Sequence, residues 1–179
     1  MSLIIRPLKF TNLQLLEELK LRLSFHFDSI KVEVPDIDIE ETYNVQRQQY
    51  YSTKIIEAVK KLNITSEDYI LIITEMDLFV PVLTHIYGEA ELRGKYSIVS
   101  TCRLHEEFYT SERNTELLLE RTYKEIMHEL GHNFGLLHCK DWQCVMHSSS
   151  GIEEVDLKSS LYCDSCKTNL LTKDIKFLT

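Results

Sequence analysis

The residues His128, Glu129, His132, Gly135 and His138 carry the chemistry of this chain in a single run of eleven positions. On a helix, side chains four apart lie one above the other on the same face, so His128 and His132 can offer two imidazole nitrogens to one metal ion. Glu129 stands between them, next to the same ion. Gly135 allows the chain to leave the helix through a positive-φ turn that other residues resist, and that turn can return His138 as a third ligand. Three protein ligands leave the fourth position of a tetrahedral zinc open to water, which is the arrangement of a catalytic site. A bare HExxH is a weak signal; Gly135 and His138 at the right offsets make the longer pattern far more specific. The bland alternative is an amphipathic helix whose histidines are merely satisfied polar groups.

The cysteines add a second metal. Cys139 directly follows the third histidine, Cys144 comes after four intervening residues, and Cys163 and Cys166 form a CxxC near the C-terminus. Two close pairs of thiolates are the composition of a closed, structural tetrahedral zinc site. Disulfides or buried apolar thiols are the alternatives, and disulfides are disfavoured in a chain with no export signal. Cys102 has no partner at ligand spacing and reads as a small buried hydrophobe. The expected cofactor is therefore Zn2+, two per chain: a catalytic ion on His128, His132 and His138, and a structural ion on Cys139, Cys144, Cys163 and Cys166.

The extended histidine pattern resembles the zinc signature of the metzincin metallopeptidases, which is followed downstream by a Met-turn. Met146, eight residues past His138, is the matching methionine. The four-cysteine set narrows the resemblance to the archaemetzincins, to which Arg47-Gln48-Gln49-Tyr50 and Thr74-Glu75-Met76-Asp77-Leu78-Phe79 are similar more loosely. The likeness covers most of the chain, with specific motifs only from His128 to Cys166. It implies a zinc metallopeptidase acting on peptides or small proteins, with Glu129 taking the proton of a zinc-activated water and passing it to the leaving amine. Met146 would be a hydrophobic floor under the metal. His147 is either a hydrogen-bond donor near the reaction or ordinary polar lining. A cleft-bordering edge strand is also implied; Tyr96 to Thr101 is placed there, with an ordinary sheet strand as the equal alternative. A non-catalytic zinc protein that uses both metals structurally to bind a partner is the competing function.

Several elements must hold these residues in place. Leu3 to Phe10 reads as a first strand, and Thr11 as the cap of a leucine-rich helix to about Leu23. Phe25 to Val34 alternates as a half-buried strand would. Asn44 to Leu62 has helical apolar spacing, with Asn63 placed to end it. Tyr69 to Thr74 is a continuous apolar run, expected as a central strand buried on both faces. Ser111 is placed to cap a long helix ending at Gly135, and the chain beyond looks irregular, held by metal and not by a large core. The fold class is α/β (α+β), a metzincin-like twisted mixed sheet flanked by helices, in one catalytic domain over 1–179 (N-terminal subdomain 1–135, C-terminal subdomain 136–179).

Bulk properties exclude other classes. With 20 basic and 28 acidic residues the net charge is −8, which opposes nucleic acid and anionic membrane as partners. From Cys139 onward five lysines face six acidic residues, so the cysteine site has no basic face. The N-terminal apolar run is broken by Arg6 and Pro7, far short of a secretory or membrane-spanning segment, and a cytoplasmic protein made without a propeptide is expected. No residue pattern assigns an oligomeric state.

Overall fold

A computed structural model describes residues 1–62 and 67–172. The apolar run Tyr69–Thr74 forms strand β5, whose Ile70, Leu71, Ile72 and Ile73 are all essentially inaccessible to solvent. It lies at the centre of a five-stranded sheet with β1 (Ser2–Pro7), β2 (Ser29–Val32), β7 (Gly88–Ala90) and β8 (Tyr96–Ser100), in the order β2-β1-β5-β8-β7. Four strands are parallel and β7 runs antiparallel to β8. A sheet covered on both faces needs apolar residues at successive positions and not only at alternate ones. Accordingly, Leu3, Ile5, Leu71, Ile73 and Val99 point to one side, toward α1 (Leu13–Leu23) and α3 (Thr115–Asn133). Ile4, Ile70, Ile72 and Ile98 point to the other, toward α2 (Ser52–Lys60).

Several boundaries differ from the sequence expectations for local reasons. Helix α1 is capped by Asn12, whose side chain accepts from the Leu15 amide, while the Thr11 hydroxyl donates to Glu75. Only Ser29–Val32 of the segment 25–34 is strand, and its edge position leaves Val34 at 80% exposure. The expected helix from Asn44 begins instead at Ser52, because residues 43–51 turn back as a hairpin of β3 (Tyr43–Asn44) and β4 (Gln49–Tyr51). Gln48, in the left-handed region at φ 56°, makes that reversal. Strand β4 pairs in parallel with β6 (Leu78–Phe79), completing a second, three-stranded sheet. Asn63, placed to end the helix, lies outside the described residues.

The expectation of an irregular region past Gly135 is corrected. Helices α4 (Ile152–Leu157) and α5 (Asp164–Leu171) form there. Val145, Met146, Val155, Tyr162 and Leu170 join the same apolar core as α1 and α3. Tyr96–Ser100 is likewise an interior strand; the edge strand beside the cleft is β7. Among the described residues no helix is long and apolar enough to cross a membrane.

Candidate metal centre and cleft

Helix α3 carries the first two histidines. Its N-cap is Asn114, whose side chain accepts from the Leu117 amide, three residues later than the expected Ser111. Its C-terminus is pinned to the β7–β8 hairpin: the Arg93 amide donates to the His132 carbonyl, and the Asn133 side-chain amide to the Glu91 and Tyr96 carbonyls. Gly135 ends the helix at φ 86°, where an L side chain is strained. The chain then reverses and brings His138 to the other two, with ring centroids 5.3 Å from His128 and 5.0 Å from His132.

The imidazoles are oriented by main-chain carbonyls. His128 Nδ1 lies 2.7 Å from the Val145 carbonyl and His132 Nδ1 lies 2.9 Å from that of Leu136. A carbonyl only accepts, so each Nδ1 is the protonated donor and each Nε2 presents its lone pair. Those two Nε2 atoms stand 3.1 Å apart. Lone pairs facing each other at that distance repel unless they share a cation, and tetrahedral zinc sets its nitrogen ligands about 3.3 Å apart. Burial lowers the proton affinity of His128 strongly and of His132 and His138 as well, with Lys158 adding repulsion. The neutral form that results is the one that ligates metal. The donor atoms of all three histidines fall within 4.8 Å of one another.

Met146 is fully buried beside this group. A Cβ on Gly131, the residue before His132 on the helix, would lie 2.3 Å from Met146 Sδ and 3.1 Å from the Tyr162 ring. Only glycine therefore lets the methionine press against the helix at this level. The turn containing Met146 also holds the segment that carries His138, since the Cys139 amide donates to the Met146 carbonyl at 2.9 Å. His147, the next residue, stacks on Trp142 with centroids 4.2 Å apart.

The four expected cysteines converge as well. Cys139 and Cys163 Sγ are 3.7 Å apart and Cys144 and Cys166 Sγ are 3.8 Å apart. A tetrahedral zinc with Zn–S bonds of about 2.3 Å would set its sulfurs about this far apart, and both distances are far longer than the roughly 2.05 Å of a disulfide. Burial raises the Cys144 and Cys166 thiols, so a group of this kind needs a cation to stay ionised. Cys102 takes no part; it is half-buried just after β8 and not within the core.

Glu129 lies on the floor of an open cleft of about 630 Å³, wedged between α3 and β7. Burial raises its carboxyl well above the usual range, with repulsion from Glu125 adding to the effect and Lys158 opposing it. Sequence reasoning missed the pair behind it. Lys158 Nζ is 2.8 Å from Glu125 Oε1, with the two side chains 1% and 5% exposed. The position of Glu125, three residues before His128 on one helix face, was the available signal; Lys158 gave none. Tyr162, whose hydroxyl donates to the Met127 carbonyl at 2.7 Å, was also missed.

The model of peptidase family M54 matches residues 14–172. Archaemetzincin of Methanocaldococcus jannaschii is 38% identical over 176 residues, spanning 98% of this chain and 96% of that protein. Among solved structures, archaemetzincin from Methanopyrus kandleri superposes with a TM-score of 0.83 at 31% identity, covering 96% of this chain and 94% of that one. That from Archaeoglobus fulgidus, complexed with malonate, gives 0.80 at 32% identity over 94% and 99% of the two chains. A likeness that runs through nearly the whole sequence and the whole fold places this chain in peptidase family M54, as a zinc metallopeptidase of archaemetzincin type.

Proposed function

We propose that the chain hydrolyses peptide bonds in the cleft above α3, with one zinc on His128, His132 and His138 and Glu129 as general base and then general acid. A second, structural zinc belongs on Cys139, Cys144, Cys163 and Cys166. The observation that carries the reading is the convergence of neutral imidazoles, two with Nε2 lone pairs directed at each other, beside a buried carboxyl on the same helix turn.

Zinc, when bound, supplies Lewis-acid polarisation of the scissile carbonyl and lowers the pKa of water to about 7. Glu129 accepts the proton of the attacking water and returns it to the leaving nitrogen. Its burial suits that task, since a fully solvated carboxylate is too weak a base to hold a proton near neutral pH. The Val145 and Leu136 carbonyls fix the imidazole tautomers and orientation. Among the described residues strand β7 pairs only with β8 in its sheet, so its outer edge along the cleft is available to a substrate backbone. Peptides or small proteins are the partners; the net charge of −8 opposes nucleic acid and anionic membrane, and the site of action is the cytoplasm.

Incubation of the protein and its Glu129→Ala variant with a peptide library tests this reading. The expected result is cleavage by the parent and none by the variant, with zinc content equal in both. The same cleavage pattern from both would overturn it.

A further inference from the structure

The segments Arg47–Tyr50 and Thr74–Phe79 contribute no side chain to either metal cluster. Their hydrogen bonds converge instead on the connection from β6 to β7, residues 80–87, which forms one wall of the cleft through Leu83, Thr84, His85 and Ile86. Val82 is 87% and Leu83 52% exposed, and a surface connection of this kind is ordinarily mobile. Here it is held along its backbone. Arg47 donates to the Leu83 carbonyl at 2.8 Å, Gln49 Nε2 to the Thr84 carbonyl at 3.1 Å, and the Ile86 amide to the Leu78 carbonyl at 3.0 Å.

The two bracing side chains are themselves fixed. The Arg47 guanidinium lies 4.5 Å above the Phe79 ring. Gln49 is buried, and its amide also donates to Asp77 Oδ2 at 3.0 Å. Asp77 in turn takes a two-pronged grip from Arg103, with both contacts at 2.7 Å. Because the braces seize main-chain carbonyls, they fix the backbone that carries Leu83, which lines the cleft as Leu137 does, while the Ile86 side chain packs against the core on the α2 side of the sheet and anchors the connection from behind.

We propose that Arg47 and Gln49 are positioning residues that fix this wall, so that Leu83 presents a rigid subsite for one apolar side chain of a bound peptide. The proposal rests on the peptidase reading above. A wall ordered before binding costs no ordering entropy when substrate arrives, so loosening it weakens binding and leaves the chemical step alone. Loss of such uniform binding appears in KM and not in kcat.

The test uses zinc-loaded protein and fluorogenic peptides that differ only by Leu or Asp at each position flanking the cleaved bond. The parent should prefer Leu at one of these positions. Arg47→Ala and Gln49→Leu should each raise KM for the leucine peptide about tenfold with kcat little changed and zinc content intact. Arg47→Lys, which keeps one donor, should recover part of the loss. Leu83→Asp, a change at an exposed position that does not threaten folding, should erase the preference for Leu. An unchanged KM in both brace variants, or a preference indifferent to Leu83→Asp, would overturn the proposal. Should the parent cleave none of the peptides, the peptidase reading fails. Anisotropy of the labelled leucine peptide on the Glu129→Gln background then decides the wall separately: weaker binding in the brace variants supports it, and equal binding overturns it.

Discussion

Replacing Gly131 by alanine sets two opposed effects against each other inside α3. Alanine favours helix over glycine by about 1 kcal/mol, and on propensity alone the variant should be more stable. The added Cβ would, however, lie 2.3 Å from Met146 Sδ and 3.1 Å from both Met146 Cε and the Tyr162 ring. Met146 is 0% and Tyr162 4% exposed, so neither side chain has solvent to retreat into. Overpacking of a filled core costs typically 1–3 kcal/mol, roughly its upper end for so deep an overlap. The net expectation is a loss of about 2 kcal/mol, equivalent to a fall in Tm of about 4–8 °C for a chain of this length. Because Met146 shares its turn with the Val145 carbonyl that orients His128, zinc affinity at the histidines should drop as well. Thermal unfolding of metal-free protein and competition with a chromogenic chelator measure the two effects. A variant as stable as the parent, with equal zinc affinity, would refute the close packing of Met146 against the helix.

The buried pair of Lys158 and Glu125 should behave as a unit. Lys158→Met alone strands a buried carboxylate and should cost about 3–5 kcal/mol, whereas Lys158→Met combined with Glu125→Leu should regain most of that loss; additive single effects in urea unfolding would contradict the coupling. In the metal-free protein the three histidines have proton affinities below the ordinary value of 6.5, from burial first. Values depressed on folding mean that the unfolded chain binds more protons as pH falls through that value, so their contribution is present above it and lost below it. Tm of the chelated protein should therefore decline as pH is lowered from neutral, and a Tm that rises over the same range would count against neutral imidazoles in the fold.

The site was far more legible in the sequence than the elements that hold it. Metal ligation restricts both residue type and spacing, so His128, His132, His138 and the four cysteines stand out before any fold is known, and the structure brings each set together. The central strand was also readable, because Tyr69–Thr74 is apolar without interruption. Caps were less so: Thr11 and Asn12, or Ser111 and Asn114, are equivalent by type, and only tertiary bonds such as Thr11 to Glu75 decide between them. The hairpin at 43–51 was hidden because Tyr51 also fits the helical spacing of the residues after it, while the reversal depends on one positive-φ residue, Gln48. The core contributed by residues past Gly135 was hidden for another reason. Val145, Val155, Tyr162 and Leu170 are scattered among polar neighbours with neither period 2 nor period 3.6, and they gather only when the turns after His138 close.

The most direct measurement is a zinc titration of chelator-stripped protein, counting bound metal by native mass spectrometry and following peptide hydrolysis in the same samples. With the proposed ligands the four-cysteine site would be closed and the three-histidine site would keep an open position, so one equivalent should be retained or refilled first without activity, and hydrolysis should rise only with the second. In the His138→Ala variant the second step should disappear while the first remains. Full hydrolysis with one zinc per chain, or in the His138→Ala variant, would contradict a catalytic zinc on His128, His132 and His138.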